Sequence, residues 1–145
     1  MRSPRVAAVL VASCLAFAAV LSAAPQEIKG AAILDHPCGK VAVKHMGLVH
    51  DGKIDDATKL GTPEMQQQWK AMPADDRKMM SGMMKEMSVT AEAFAADVKA
   101  HGLLVIDGAK GTLTVKQEHK DKNGSSTETT TQNYVIDTKG CWITH

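Results

Sequence analysis

The spacing of apolar residues changes at about Gly102, and this change divides the chain into a helical part and a strand part. Before Gly102, apolar residues recur every three or four positions, which is the period of a helix with one face on a core. Beyond it they recur every second position, as in Leu113 and Val115, which is the period of a strand with one buried face. Helices followed by an antiparallel meander predict an α+β domain.

Capping and turn residues set the bounds of the predicted helices. Asp35 or His36 can cap the first helix, and Thr62 can cap the third. Residues 88–102 fit both periods, and a strand that begins after Ala93 is our interpretation of them. The helices are predicted at residues 35–50, 54–60, 63–72 and 74–87.

Four strands are predicted in the second part of the chain. They lie at residues 103–106, 111–119, 125–136 and 141–145. Asn123-Gly124 can supply the positive φ angles that a tight hairpin turn needs. The run at 125–132 is polar on both faces, which favours an edge or a solvated sheet surface.

Residues 1–24 are typical of a secretory signal peptide. Arg2 and Arg5 precede an apolar stretch at 6–21, and small residues follow at 22–24. An uncleaved anchor, which needs roughly 20 apolar residues, and a lipoprotein attached at Cys14 are the alternatives. Cleavage would leave one domain at 25–145, periplasmic or secreted and not inserted in the membrane. This domain has one more acidic than basic residue, so nothing in its charge predicts binding to nucleic acid.

Cleavage would also leave two of the three cysteines, Cys38 and Cys141. In an oxidising compartment such a pair predicts a disulfide, and the alternative is two separate buried thiols. A loop of about 100 residues closed by this bond is worth on the order of 4 to 5 kcal/mol. The bond requires the start of the first helix to lie within about 7 Å of the last strand, measured between Cα atoms.

Two segments resemble the NTF2-like superfamily, in particular its small secreted lumazine-binding-like members. One is HDGKIDDATKLGT, with a glycine-to-alanine step from Gly52 to Ala57, and the other is the terminal Gly140-x-Trp142. The resemblance implies helices packed in the concave face of a curved antiparallel sheet, which form a cone with an apolar pocket. The pocket residues that we expect are Val41, His45, Leu48, Trp69 and Tyr134.

The resemblance also implies where the catalytic residues would lie if the chain were an enzyme of this superfamily. Enzymatic members carry an acidic residue, or a His–Asp pair with a tyrosine, inside the pocket. His45 and Tyr134 are the candidates for a general base and its partner. The alternatives are a core histidine bound to a backbone carbonyl and a tyrosine that only packs.

The run MMSGMMKEM at 79–87 is the most unusual local feature of the chain. On a helix Met79, Met83 and Met87 share one face, with Met80 and Met84 in a second row beside it. Clustered thioethers can bind Cu(I), so the first three residues are candidate ligands. Core packing by a flexible side chain and an adaptable binding surface are the alternatives.

These patterns predict an exported, non-enzymatic binding or accessory module with no cofactor. Its partner would be a small apolar ligand or another envelope protein. An isomerase or dehydratase that uses His45 and Tyr134 is one alternative function. A Met-rich Cu(I)-binding periplasmic protein is the other.

Overall fold

The computed structural model describes residues 23–121 and 124–145, and it has an α+β fold with one antiparallel sheet. The strands follow one another in the sheet in the order in which they occur in the chain. Each neighbouring pair is antiparallel. The helices are α1 (Ala32–Asp35), α2 (Pro37–His50), α3 (Ile54–Thr58), α4 (Pro63–Ala71), α5 (Ala74–Glu86) and α6 (Ala91–His101). The strands are β1 (Gln26–Lys29), β2 (Gly102–Asp107), β3 (Lys110–Asp121), β4 (Gly124–Asp137) and β5 (Gly140–Thr144).

Side-chain caps start α2 and α4 at the places where the sequence predicts them. The backbone of His36 is extended, which separates α1 from α2, and its Nδ1 accepts a hydrogen bond from the Cys38 N–H at 3.2 Å. Thr62 Oγ1 accepts one from the Met65 N–H at 3.5 Å. Each cap satisfies a backbone donor that the first turn of a helix leaves without a partner.

Residues Ala91–His101 form helix α6, so the prediction of a strand in this segment is wrong. Thr90 caps the helix by accepting a hydrogen bond from the backbone N–H three residues later. Phe94 and Val98, one turn apart, are both buried against the sheet. Ala96, which a strand would place on the same side, is exposed. The helical period therefore describes the buried face.

Strand β1 was not expected from the sequence. It pairs with β2 from Gln26, opposite Ile106, to Lys29, opposite Leu103. Only Ile28 of its four residues is partly buried. A strand with one apolar side chain carries almost no alternation, so the periodicity gave no signal for it.

The core lies between one face of the sheet and helices α1, α2 and α6. Alternate residues of the central strands point to this face, among them Leu104, Leu113 and Val115. The helices contribute Ile33, Cys38, Ala42, Phe94 and Val98. The opposite face of the sheet is more exposed, as Val135 shows.

The Cys38–Cys141 disulfide is present, with the two Cα atoms 5.1 Å apart. It joins the first turn of α2 to β5 across 103 residues of sequence. The neighbouring backbone strengthens this connection, because Ile143 N–H donates to Leu60 O and Ile143 O accepts from Thr62 N–H. Strand β5 is thus held by β4 on one side and by the segment between α3 and α4 on the other.

Strands β3 and β4 form the longest hairpin of the sheet. Their pairing runs from Lys110 opposite Val135 to Asp121 opposite Gly124. The turn predicted at 121–124 falls at this end of the hairpin, and its residues 122–123 lie outside the described residues. Strand β5 pairs only with residues 133–137 of β4. The polar part of β4 therefore has β3 as its only strand neighbour among the described residues, which agrees with the predicted edge.

Replacing both cysteines, as Cys38→Ala with Cys141→Ala, should lower the free energy of unfolding by about 4 to 5 kcal/mol, because the long loop is no longer closed in the unfolded chain. Urea denaturation of the oxidised proteins measures this difference. Reductant should destabilise the wild type and leave the double variant unchanged. A wild-type midpoint that does not respond to reductant would contradict the assignment.

Candidate functional site

A cavity of about 260 Å³ lies between helices α2 to α5 and strand β5. Its wall is mainly apolar. Ile54 and Ala57 of α3 and Ile143 of β5 are buried side chains of this wall. Four methionines also line the cavity: Met65, Met72, Met80 and Met84. The cavity is therefore enclosed by the helical part on most sides and by the last strand on one.

A glycine allows the wall to close where α3, α4 and β5 meet. Gly61 is buried, and a Cβ atom at this position would lie 3.3 Å from Met65 Sδ and 3.2 Å from Thr58 O. Both distances are shorter than ordinary van der Waals contact. Gly61 also forms the bridge to Ile143. Its lack of a side chain thus leaves room for the Met65 side chain in the wall of the cavity.

Trp69 is fixed in the wall by a hydrogen bond. Its indole N–H donates to Asp55 Oδ1 at 2.7 Å, which joins α4 to α3. Its ring packs against the small cluster formed by Val49, Ile54 and Ala57. The polar edge of the indole is therefore satisfied, while the rest of the side chain borders the cavity.

His45 of α2 also lines the cavity. The side chain is partly buried, and this burial lowers the pKa of its imidazole. The ring makes no hydrogen bond to any other described residue. At neutral pH His45 is therefore an uncharged imidazole with an unshared nitrogen lone pair.

The structure brings together some of the predicted pocket residues and separates others. His45 and Trp69 line the same cavity. Leu48 borders a more open groove between α2 and α6. Val41 packs against the main core. Tyr134 is 1% exposed within that core, and its hydroxyl donates to Gln132 Oε1 at 3.1 Å.

This arrangement gives no support to catalysis by His45 and Tyr134. Burial raises the pKa of the Tyr134 hydroxyl far above its usual range, so the group stays protonated. Tyr134 does not line the cavity that His45 borders, and none of the described residues lining it is acidic. A general base and a partner for it are therefore not assembled there.

The two rows of methionine on α5 lie in different surroundings. Met79, Met83 and Met87 are 64%, 56% and 79% exposed. Met84 packs against the cluster of Val49, Ile54 and Ala57, and Met80 lines the cavity although it is 40% exposed. The row chosen from the sequence as metal ligands faces solvent, and the second row borders the cavity.

Sequence reasoning missed Met65 and Met72 as residues of the site. A signal was present, because Met65, Trp69 and Met72 are spaced by four and three residues and so share one face of a helix. That face was not connected with the methionine run on α5, since nothing in the local pattern shows that α4 and α5 enclose a common space.

Comparison of the chain with protein-family models, with curated proteins and with solved structures finds no match. Within residues 23–121 and 124–145, no group of three or more His, Cys, Asp or Glu side chains is placed to hold a metal ion. None of the helices in those ranges has the length and hydropathy needed to cross a membrane.

Protonation of His45 should destabilise the protein. Burial places its pKa in the folded state below the value of about 6.5 in the unfolded chain. The unfolded chain therefore binds the proton more readily, so this contribution to stability is complete above about pH 6.5 and decreases as the pH falls below it. The thermal midpoint should be lower at about pH 5 than at about pH 7.5, and His45→Leu should reduce this difference.

His36 provides the control for this measurement. Burial lowers its pKa as well, and protonation of Nδ1 would remove the acceptor that caps α2. Its effect therefore has the same sign. His36→Asn keeps a capping oxygen but does not titrate in this range. If His45→Leu leaves the pH dependence unchanged in the His36→Asn background, the role assigned to His45 is wrong.

Proposed function

We propose that the chain is an exported, disulfide-bonded binding module, and that the cavity between α2 to α5 and β5 is its ligand site. The observation that carries the proposal is the wall of this cavity, in which four thioethers, an indole and aliphatic side chains surround a half-open space. Apolar pockets with a few polar groups are the usual form of small-molecule sites. The signal-like residues 1–24 and the disulfide support an oxidising location outside the cytoplasm.

The cavity suits a small apolar ligand. Its volume of about 260 Å³ is below the roughly 300 to 1,000 Å³ of sites for drug-sized molecules. None of the described lining residues is Asp, Glu, Lys or Arg, so a charged organic ligand would lose its hydration without gaining an ion pair. Methionine side chains are flexible and adapt to ligands of different shape. We therefore expect the cavity to bind a class of related apolar compounds and not a single compound.

An NTF2-like architecture is part of this proposal. The two segments that resemble that superfamily meet at the cavity, since Ala57 of the first and Ile143, next to Trp142 of the second, both line it. The helices cover one face of an antiparallel meander, in agreement with a sheet that wraps around them. The early strand β1 is an addition to the expected order.

Ligand binding can be followed through the methionine methyl groups. When the protein with ¹³C-labelled methionine methyls is titrated with 1-naphthol, a two-ring apolar probe, the resonances of Met65, Met72, Met80 and Met84 should shift. Those of Met79, Met83 and Met87 should not, because these side chains face solvent. Equal shifts in both sets would indicate non-specific binding and would contradict the proposal.

A pair of neighbouring substitutions tests the position of the site. Gln68 is exposed and lines the cavity, whereas Gln67 is exposed and does not. Gln68→Phe should narrow the entrance and weaken 1-naphthol binding by on the order of tenfold, because a ring would occupy space that the probe needs. Gln67→Phe adds the same ring to the same helix and should leave the dissociation constant unchanged.

A further inference from the structure

Soft donor atoms are concentrated around the cavity. The four lining methionines belong to α4, to its C-terminal end and to α5, so they approach the space from two directions. The position of one sulfur is fixed closely, because Met65 Sδ lies against the backbone of Gly61, which is itself part of the wall. His45 adds an imidazole that has no hydrogen-bond partner among the described residues.

Packing explains part of this arrangement, because Met65 and Met84 contact the two buried clusters. Methionines that only fill a core have atoms of other residues on all sides. Here the side chains border a space that the protein does not fill, together with a partly buried histidine whose ring makes no hydrogen bond to a described residue. The imidazole can therefore bind a ligand in the cavity without breaking a hydrogen bond to the protein.

We propose that Met65, Met80, Met84 and His45 bind a monovalent soft metal ion, Cu(I), inside this cavity. Thioether sulfur and neutral imidazole nitrogen are ligands that Cu(I) accepts and that Mg²⁺ and Ca²⁺ do not prefer. None of the described lining residues is Asp or Glu, and the lack of these side chains disfavours the hard divalent ions further. None of the described lining residues is a lysine or an arginine, so no side chain of the wall adds a positive charge of that kind beside the ion.

Because the two cysteines form a disulfide, methionine thioethers are the sulfur atoms that remain available to bind a metal ion. Cys38 and Cys141 are bonded to each other, so neither offers a thiolate. In the described part of the chain, methionine is then the only side chain that can supply an unoxidised sulfur to a metal. A thioether carries no proton at physiological pH, so binding by these residues does not require the release of one.

The proposed ligands differ from the row that the sequence indicated. Met79, Met83 and Met87 lie along one exposed face of α5. None of them lines a described cavity in which another helix could supply a further ligand. Three sulfurs in a row on one helix cannot surround an ion. Ligands from α2, α4 and α5 can, because they approach it from different elements.

The inference uses the same cavity as the proposed function but does not rest on the binding of an apolar ligand. Leucine has nearly the volume and apolarity of methionine and lacks the sulfur. Substitutions by leucine should therefore remove Cu(I) binding and preserve 1-naphthol binding. The two proposals can therefore fail separately. If the leucine variant loses both Cu(I) binding and 1-naphthol binding, the substitutions have damaged the cavity. If it keeps both, the proposed metal site is wrong and the apolar ligand site is not affected.

The decisive experiment compares two triple variants of the full mature chain. One carries Met65→Leu, Met80→Leu and Met84→Leu, and the matched control carries Met79→Leu, Met83→Leu and Met87→Leu. Cu(I) affinity is measured without oxygen, in the presence of ascorbate, by competition with bicinchoninate. We expect the first variant to lose on the order of 100-fold in affinity and the control to remain close to the wild type. An equal loss in both variants, or no Cu(I) binding by the wild type, would overturn the proposal.

A second measurement keeps the test valid if the first triple variant does not fold. Ag(I), a redox-inert substitute for Cu(I), can be added to the wild-type protein with ¹³C-labelled methionine methyls. Binding as proposed should shift the methyl resonances of Met65, Met80 and Met84 and the ring resonances of His45. Shifts confined to Met79, Met83 and Met87 would assign the metal to the exposed row and would refute the cavity site. Zn(II) at the same concentration should leave the methionine methyl resonances in place, because thioethers are poor ligands for it.

Discussion

The attachment of β5 to the helices is the interaction on which the rest of the structure depends. Without it, β5 would be held by its pairing with residues 133–137 of β4 and by the packing of Ile143 in the core. The Cys38–Cys141 bond fixes one end of β5 to α2, and the two backbone hydrogen bonds of Ile143 fix the other end to the segment that joins α3 and α4. Ile143 then becomes one wall of the cavity. A covalent bond at one end of a short strand therefore helps to position the wall of the cavity at the other.

Helix starts and element types that depend on neighbouring residues in the chain could be predicted from the sequence. The starts of α2 and α4 follow from the side-chain acceptors of His36 and Thr62, and the helix-then-meander order follows from the change of period. The prediction was wrong for α6, because alanine at positions 96 and 100 satisfies a period of two as well as the helical period. Alanine is compatible with either side of a helix or strand, so only the position of the sheet decides which side is buried. Strand β1 had one apolar residue and thus no detectable period.

The site was less predictable than the fold because it depends on how helices face one another. The sequence indicated correctly that α5 carries two rows of methionine, but in both rows the methionines are four residues apart. Which row is covered depends on the packing of α5 against α2 and on the contact of Met84 with Ile54 and Ala57. His45 and Trp69 were identified as pocket residues, whereas Tyr134 belongs to the core. This difference depends on tertiary packing. The alternation of residues along a strand shows which side chains are buried, but not whether they lie in the core or line a pocket.

Scarcity of aromatic residues connects the fold with both proposed ligands. With aromatics at 3% of the chain, methionine supplies much of the larger apolar surface near the cavity. The same side chain presents a flexible hydrocarbon to an apolar molecule and a lone pair to a soft metal ion. Both ligands need the space next to Met65 and Met84, so they should compete. An ion bound there would draw the sulfurs inward and reduce the volume open to an apolar ligand. Competition between 1-naphthol and Ag(I) for the wild-type protein would therefore show that the two ligands occupy one cavity, and independent binding would place them at separate sites.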